Sequence, residues 1–95
     1  MIYADYTYGA DHRKRRGYQS MDNARKSAIG WCKAHKGEFV NFYKSKDSYK
    51  PIGQMVWHRG DDYPEYYRMY GCDDRYPNEG VSDGGYKVFP NGKVR

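Results

Sequence analysis

The chain has 95 residues, 12 of them Tyr, a mean hydropathy of −1.18 and a formal net charge of +5. That length allows one domain with a thin core, and 18% aromatic residues set it apart from disordered chains of similar polarity. No stretch approaches the roughly 20 apolar residues that a membrane-spanning helix needs, and the basic balance favours anionic partners.

The charge is unevenly placed. Residues 1–50 hold 11 Lys and Arg against 5 Asp and Glu, whereas residues 51–95 hold 6 against 7. The positive field therefore belongs to the N-terminal half.

Ile2 to Tyr8 alternates as a strand, with Ile2, Ala4, Tyr6 and Tyr8 on one face. The N-terminus has no basic run followed by an apolar one, so no signal peptide is expected. Residues 11–17 read as a basic loop built on Arg13, Lys14, Arg15 and Arg16.

Ser20 predicts a helix N-cap, with Asp22 in the first turn and Gly37 after the C-terminus. The helix spans about Met21 to His35. Met21, Ala24, Ala28, Trp31, Cys32 and His35 form its apolar stripe, anchored by Trp31. Arg25, Lys26, Lys33 and Lys36 form a basic flank. Gly30 weakens the helix and is expected to mark a close approach to the sheet.

Further strands follow at 38–45, 52–58 and 65–70. The segment 71–85, rich in Gly, Asp, Asn, Pro and Ser, reads as an irregular loop. Tyr86 to Phe89, the turn Pro90-Asn91-Gly92 and a stub at Lys93-Val94 end the chain. The order β-α-β-β-β predicts an α+β fold: a curved antiparallel sheet with one amphipathic helix packed on one face. The opposite face is expected to lie open, since no second helix is predicted.

Two surfaces emerge. Arg13, Lys14, Arg15, Arg16, Arg25, Lys26, Lys33 and Lys36 are candidates to grip nucleic-acid phosphates, since Arg offers bidentate contacts and clustered cations release counterions. Trp57, Tyr63, Tyr66, Arg68, Tyr70 and Tyr76 are candidates for a protein contact, because the carboxylates around them, from Asp61 to Asp83, repel phosphate. Tyr6, Tyr8 and Tyr43 are expected in the core.

Other chemistries have thinner support. Cys32, His35, His58 and Cys72 match no zinc spacing, and both thiols are expected to be free. Asp61-Asp62 and Asp73-Asp74 lie in loops where Asp serves turns. His12, His35, His58, Arg59 and Tyr66 supply the residue types of a small basic ribonuclease without a spacing that singles them out.

The segments Asn23-Ala24-Arg25-Lys26-Ser27-Ala28-Ile29-Gly30-Trp31-Cys32, Phe39-Val40-Asn41-Phe42-Tyr43 and Val88-Phe89-Pro90-Asn91-Gly92-Lys93-Val94 resemble those of small single-helix proteins encoded by bacteriophages and prophages. The resemblance implies a protein that binds and inhibits a host machine, as anti-CRISPR proteins do, in the host cytoplasm. The basic charge sets this chain apart from the acidic DNA mimics among such inhibitors. The expectation is a single-domain, non-enzymatic binding protein without metal or cofactor. Its partner is a host nucleoprotein, with possible RNA or DNA contact. The alternatives are a purely protein-directed inhibitor or adaptor, homodimeric through the open face, and a small basic ribonuclease.

Overall fold

The computed structural model describes residues 1–6, 15–69 and 85–95. Its strands are β1 (Ile2–Tyr6), β2 (Arg16–Tyr18), β3 (Phe39–Tyr43), β4 (Gly53–Val56), β5 (Glu65–Arg68) and β6 (Tyr86–Lys87), with helix α1 (Met21–Ala34) between β2 and β3. They form one open sheet in the order β2-β1-β3-β4-β5-β6, every pair antiparallel. The expected α+β architecture holds. No helix among the described residues is long and apolar enough to cross a membrane.

The end of the basic run is not a loop. Arg16, Gly17 and Tyr18 form β2, with Tyr18 opposite Ile2 and Arg16 opposite Ala4. Three residues are too few to show a period of two, and the Arg run hid them.

The register assigns the faces. Ala4 lies opposite Phe42, Val40 opposite Met55, and Met55 opposite Tyr66. With Tyr6, these residues face α1, and they join Met21, Ala24, Ala28 and Cys32 in one core cluster. Ser20 caps the helix as expected, its side-chain oxygen accepting from Asn23 N at 3.2 Å. Gly37 takes a positive φ of 94° after the helix.

The buried stripe of α1 differs from the predicted one. It consists of Met21, Ala24, Arg25, Ala28 and Cys32, while Trp31 is only half-buried. Arg25, expected on the basic flank, is 0% exposed. Its Nε donates to the Gly92 carbonyl at 2.9 Å, its Nη2 pairs with Asp22, and its guanidinium lies 4.7 Å from the centre of the Tyr66 ring. Gly92, at φ 84°, docks the C-terminal turn so tightly on the helix that a β-carbon there would collide with the Asp22 carbonyl. Tyr66 in turn lies flat across Gly53, where any side chain would strike its ring.

The C-terminal turn closes as predicted. Phe89 N donates to the Lys93 carbonyl at 2.9 Å, and Val88 bridges Val94. Gly30 departs from expectation: it faces solvent, with open space where a β-carbon would project.

Two stability outcomes follow. Arg25→Ala strands Asp22 and the Gly92 carbonyl beside a cavity, and should lower the unfolding free energy by about 3–5 kcal/mol. A loss below about 1 kcal/mol in urea titration would refute the pinning role of that guanidinium. Gly30→Ala should raise stability by about 0.5–1 kcal/mol in the same assay, because it restricts the unfolded chain and meets nothing in the fold.

Candidate binding surfaces

The basic residues fall into four groups. Arg13 and Lys14 lie outside the described residues. Arg15 is engaged within the fold: its guanidinium stacks 3.6 Å from the centre of the Tyr43 ring, and its Nη1 donates to the carbonyls of Ser45 (3.0 Å) and Lys46 (2.9 Å). Arg25 is internal, as above. Arg16 and Lys26 are exposed.

Lys33 and Lys36 converge with Arg59, which lies outside the predicted basic surface. Together with Ala34, His35 and Glu38 they line a pocket of about 430 Å³ at the C-terminal end of α1. Gly37 N donates to the Trp57 carbonyl at 3.0 Å, and this bond brings the loop after β4 against the helix end. Lys36 Nζ stands 5.1 Å and Lys33 Nζ 6.0 Å from the centre of the Trp57 ring. His35 stacks on Trp31 at 4.4 Å, and its Nδ1 donates to the Trp31 carbonyl at 3.0 Å. Cations at a helix C-terminus suit the dipole. Arg59 comes from a different element, and no dipole accounts for its approach to two lysines.

The aromatic surface is smaller than predicted. Tyr66 is only 1% exposed and belongs to the core. It shares a face with Arg68, as expected, but that face is the one α1 covers. Trp57 is also buried, its Nε1 donating to the Asp61 carbonyl at 2.8 Å. Arg68 is half-buried, 6.0 Å from the centre of the Tyr86 ring. Tyr70 and Tyr76 lie outside the described residues, as do Tyr8 and Cys72. Among the four described candidates, Tyr63 alone stays well exposed, tilted against Phe89 with ring centres 5.7 Å apart.

Tyr63 lines a second pocket, of about 250 Å³, with Gly60, Asp61, Asp62, Glu65 and Lys87. Beside it, Tyr67 donates to Glu65 Oε2 at 2.5 Å, and His58 Nε2 lies 3.1 Å from the Tyr67 oxygen and 3.7 Å from Glu65 Oε2. The single phenolic proton goes to Glu65, so His58 Nε2–H is the donor to Tyr67. The loop from His58 to Asp62 thus contributes Arg59 to a basic pocket and Asp61 and Asp62 to an acidic one.

The sheet face away from α1 is not uniformly open. Tyr3, Asp5, Asn41, Gln54 and Tyr67 lie on it half-buried, but Tyr43 is buried, with the Arg15 guanidinium stacked on its ring. Tyr43 is therefore internal as expected, though on the other face. Among the described residues no group of three or more His, Cys, Asp or Glu is placed to hold a metal ion, and Cys32 carries a free, buried thiol. No protein family, curated protein or solved structure matches this chain.

Three acids are held in their protonated form. Burial pushes the Cys32 thiol up to about 12. Tyr67 is also pushed up to about 12, first by the hydrogen bond it donates to Glu65, then by burial and by the charges of Glu65 and Asp61. Tyr6 is raised by burial, then by its 2.7 Å hydrogen bond with Tyr18. In the unfolded chain these groups ionise near their ordinary values of 9.0 and 10.0. Stability contributed by their neutral forms is complete below pH 9 and is lost as pH rises toward 12. The urea midpoint should therefore fall steadily across that window, and Tyr67→Phe should make the fall shallower. A midpoint independent of pH there would contradict the burial of these groups.

Proposed function

We propose that the chain is a non-enzymatic binding protein for a nucleoprotein partner. Nucleic-acid phosphate is held among Lys33, Lys36 and Arg59, and protein is met on the acidic side around Asp61, Asp62, Tyr63 and Glu65. The observation that carries this reading is the convergence of three cations from two elements on one pocket. The pocket sets three cations against one carboxylate, Glu38, and that positive surplus favours an anionic ligand. The acidic pocket on the same loop gives the two sides opposite preferences. Inhibition of a host nuclease or defence complex in the host cytoplasm, which the resemblance to phage-encoded proteins implies, fits a partner carrying both components.

A second reading is a ribonuclease. It is favoured by one observation: His35 and Glu38 line the same pocket as the three cations, so an acid, a base and phosphate-binding groups share one site.

Binding of labelled RNA and DNA oligonucleotides across a salt series tests both. The triple variant Lys33→Ala, Lys36→Ala, Arg59→Ala should weaken binding and reduce the slope of log K against log salt by about 2–3, at roughly 0.7–0.9 per phosphate contact. An unchanged slope would overturn the phosphate assignment, and a protein partner retained after nuclease treatment in high salt would replace it with the purely protein-directed reading. Gel analysis of the same RNA decides the second reading, since cleavage abolished by His35→Ala would make the chain an enzyme.

A further inference from the structure

The turn between β3 and β4 displays the most exposed large aromatic side chain described in the fold. Tyr49 is 84% accessible. Around it the sequence places Lys44, Lys46 and Lys50 against a single carboxylate, Asp47, and all four are exposed. A tyrosine left in water gains nothing from burial, yet several bonds hold the turn on either side of it.

Those bonds come from outside and inside the turn. Arg15 reaches over from the start of β2 and donates to the carbonyls of Ser45 and Lys46, braced by its stack on Tyr43. Ser48 N donates to Ser45 Oγ at 3.1 Å, and Ser48 Oγ donates to the Lys50 carbonyl at 3.3 Å. The ladder resumes at once, with Ile52 N bonded to the Phe42 carbonyl at 2.7 Å. Tyr49 is thus displayed on a turn whose ordering cost is already met before any ligand arrives.

We infer that Tyr49 is a base-stacking contact for single-stranded nucleic acid, with Lys44, Lys46 and Lys50 neutralising the flanking phosphates. This rests on the proposed phosphate pocket for its choice of ligand, but it is a separate site. Tyr stacks on any base through its ring face, and lysines read no sequence, so the contact accepts single strands generally. A duplex hides its base faces and offers Tyr49 nothing to stack on. The turn carries one phenol and no aliphatic cluster, which suits a base better than a lipid surface. It lies beyond the C-terminal end of β3, whereas the Lys33–Lys36–Arg59 pocket lies beyond the N-terminal end. The five residues of β3 separate the two by roughly 16 Å at about 3.3 Å per residue. One strand running along the sheet reaches both, with bases held at one end and phosphates at the other.

The test uses the full chain and a labelled single strand of about 12 nucleotides, with the duplex of the same sequence as control. Tyr49→Ala should weaken the single strand by about 5- to 150-fold and leave the duplex unchanged, and Tyr49→Phe should restore most of the affinity. The side chain is 84% accessible, so circular dichroism and urea midpoint should match the parent. Equal single-strand affinity for Tyr49→Ala and the parent would overturn the inference. So would equal losses on single strand and duplex, or a loss confined to phosphatidylserine-containing vesicles. The pocket triple variant separates this result from the earlier reading. If that variant binds normally while Tyr49→Ala does not, the phosphate pocket fails and the stacking site stands. If the reverse holds, the stacking site alone fails, and no binding of either oligonucleotide by the parent overturns both.

Discussion

A guanidinium sealed inside a thin domain sets the terms for everything around it. An arginine keeps its charge at any ordinary pH, so its burial is tolerable only if every neighbour answers it. Here the answers come from three parts of the chain: Asp22 one turn earlier on the helix, the Gly92 carbonyl from the C-terminal turn, and the ring of Tyr66 on β5. None of these moves without breaking the others. Gly92 is held so close to the helix that a side chain would not fit, and Gly53 is bare so that the Tyr66 ring can lie over it. The helix is thereby pinned near its N-terminal end. The helix then carries Lys33, about 12 Å along its axis from Arg25, and the following turn to the loop after β4. The basic pocket owes its position to a contact at the far end of the helix.

Much of this frame was readable in the residues. Ser20, Gly37 and the Asn91-Gly92 turn announced themselves through local chemistry that operates without tertiary help. The helix stripe was legible in its spacing: Met21, Ala24, Ala28 and Cys32 are buried as predicted, while Arg25 is buried in addition and Trp31 and His35 are only half-buried. Hydrophobic periodicity has no way to mark a charge whose burial depends on a carbonyl 67 residues away and a ring on β5. Tyr66 was hidden in the same manner. Its sequence neighbours are carboxylates and other tyrosines, while its spatial neighbours are Met55, Phe42 and Gly53.

The candidate site was less legible than the fold. Lys33 and Lys36 were visible as a helix flank, but Arg59 joined them only through the bond from Gly37 to the Trp57 carbonyl, a pairing between segments with no shared pattern. Arg15 shows the opposite failure. Within the run from Arg13 to Arg16 it looked like part of a phosphate grip, yet the fold uses it as a brace for the β3–β4 turn. Composition shows how much charge a chain carries, whereas the register decides which charges remain for a partner. The described tyrosines divide in the same way: Tyr66 is packed in the core, Tyr6 and Tyr18 are bonded to each other, and Tyr49 and Tyr63 stand in solvent.

The borders of the sheet carry a consequence of their own. An open sheet ends in two strands whose outer amides and carbonyls can recruit another chain, which is how soluble β proteins polymerise. Here both outermost strands are stubs: β2 has three residues and starts with a charged Arg16, and β6 has two. Beyond β6, Lys87 N and the Lys87 carbonyl are already bonded to Arg95, and Val88 is bridged to Val94, so residues 94 and 95 occupy that border. A domain this rich in tyrosine and this poor in aliphatic core is exposed to β-stacking with its copies. Short strands at both borders offer a second copy few amides and carbonyls to pair with.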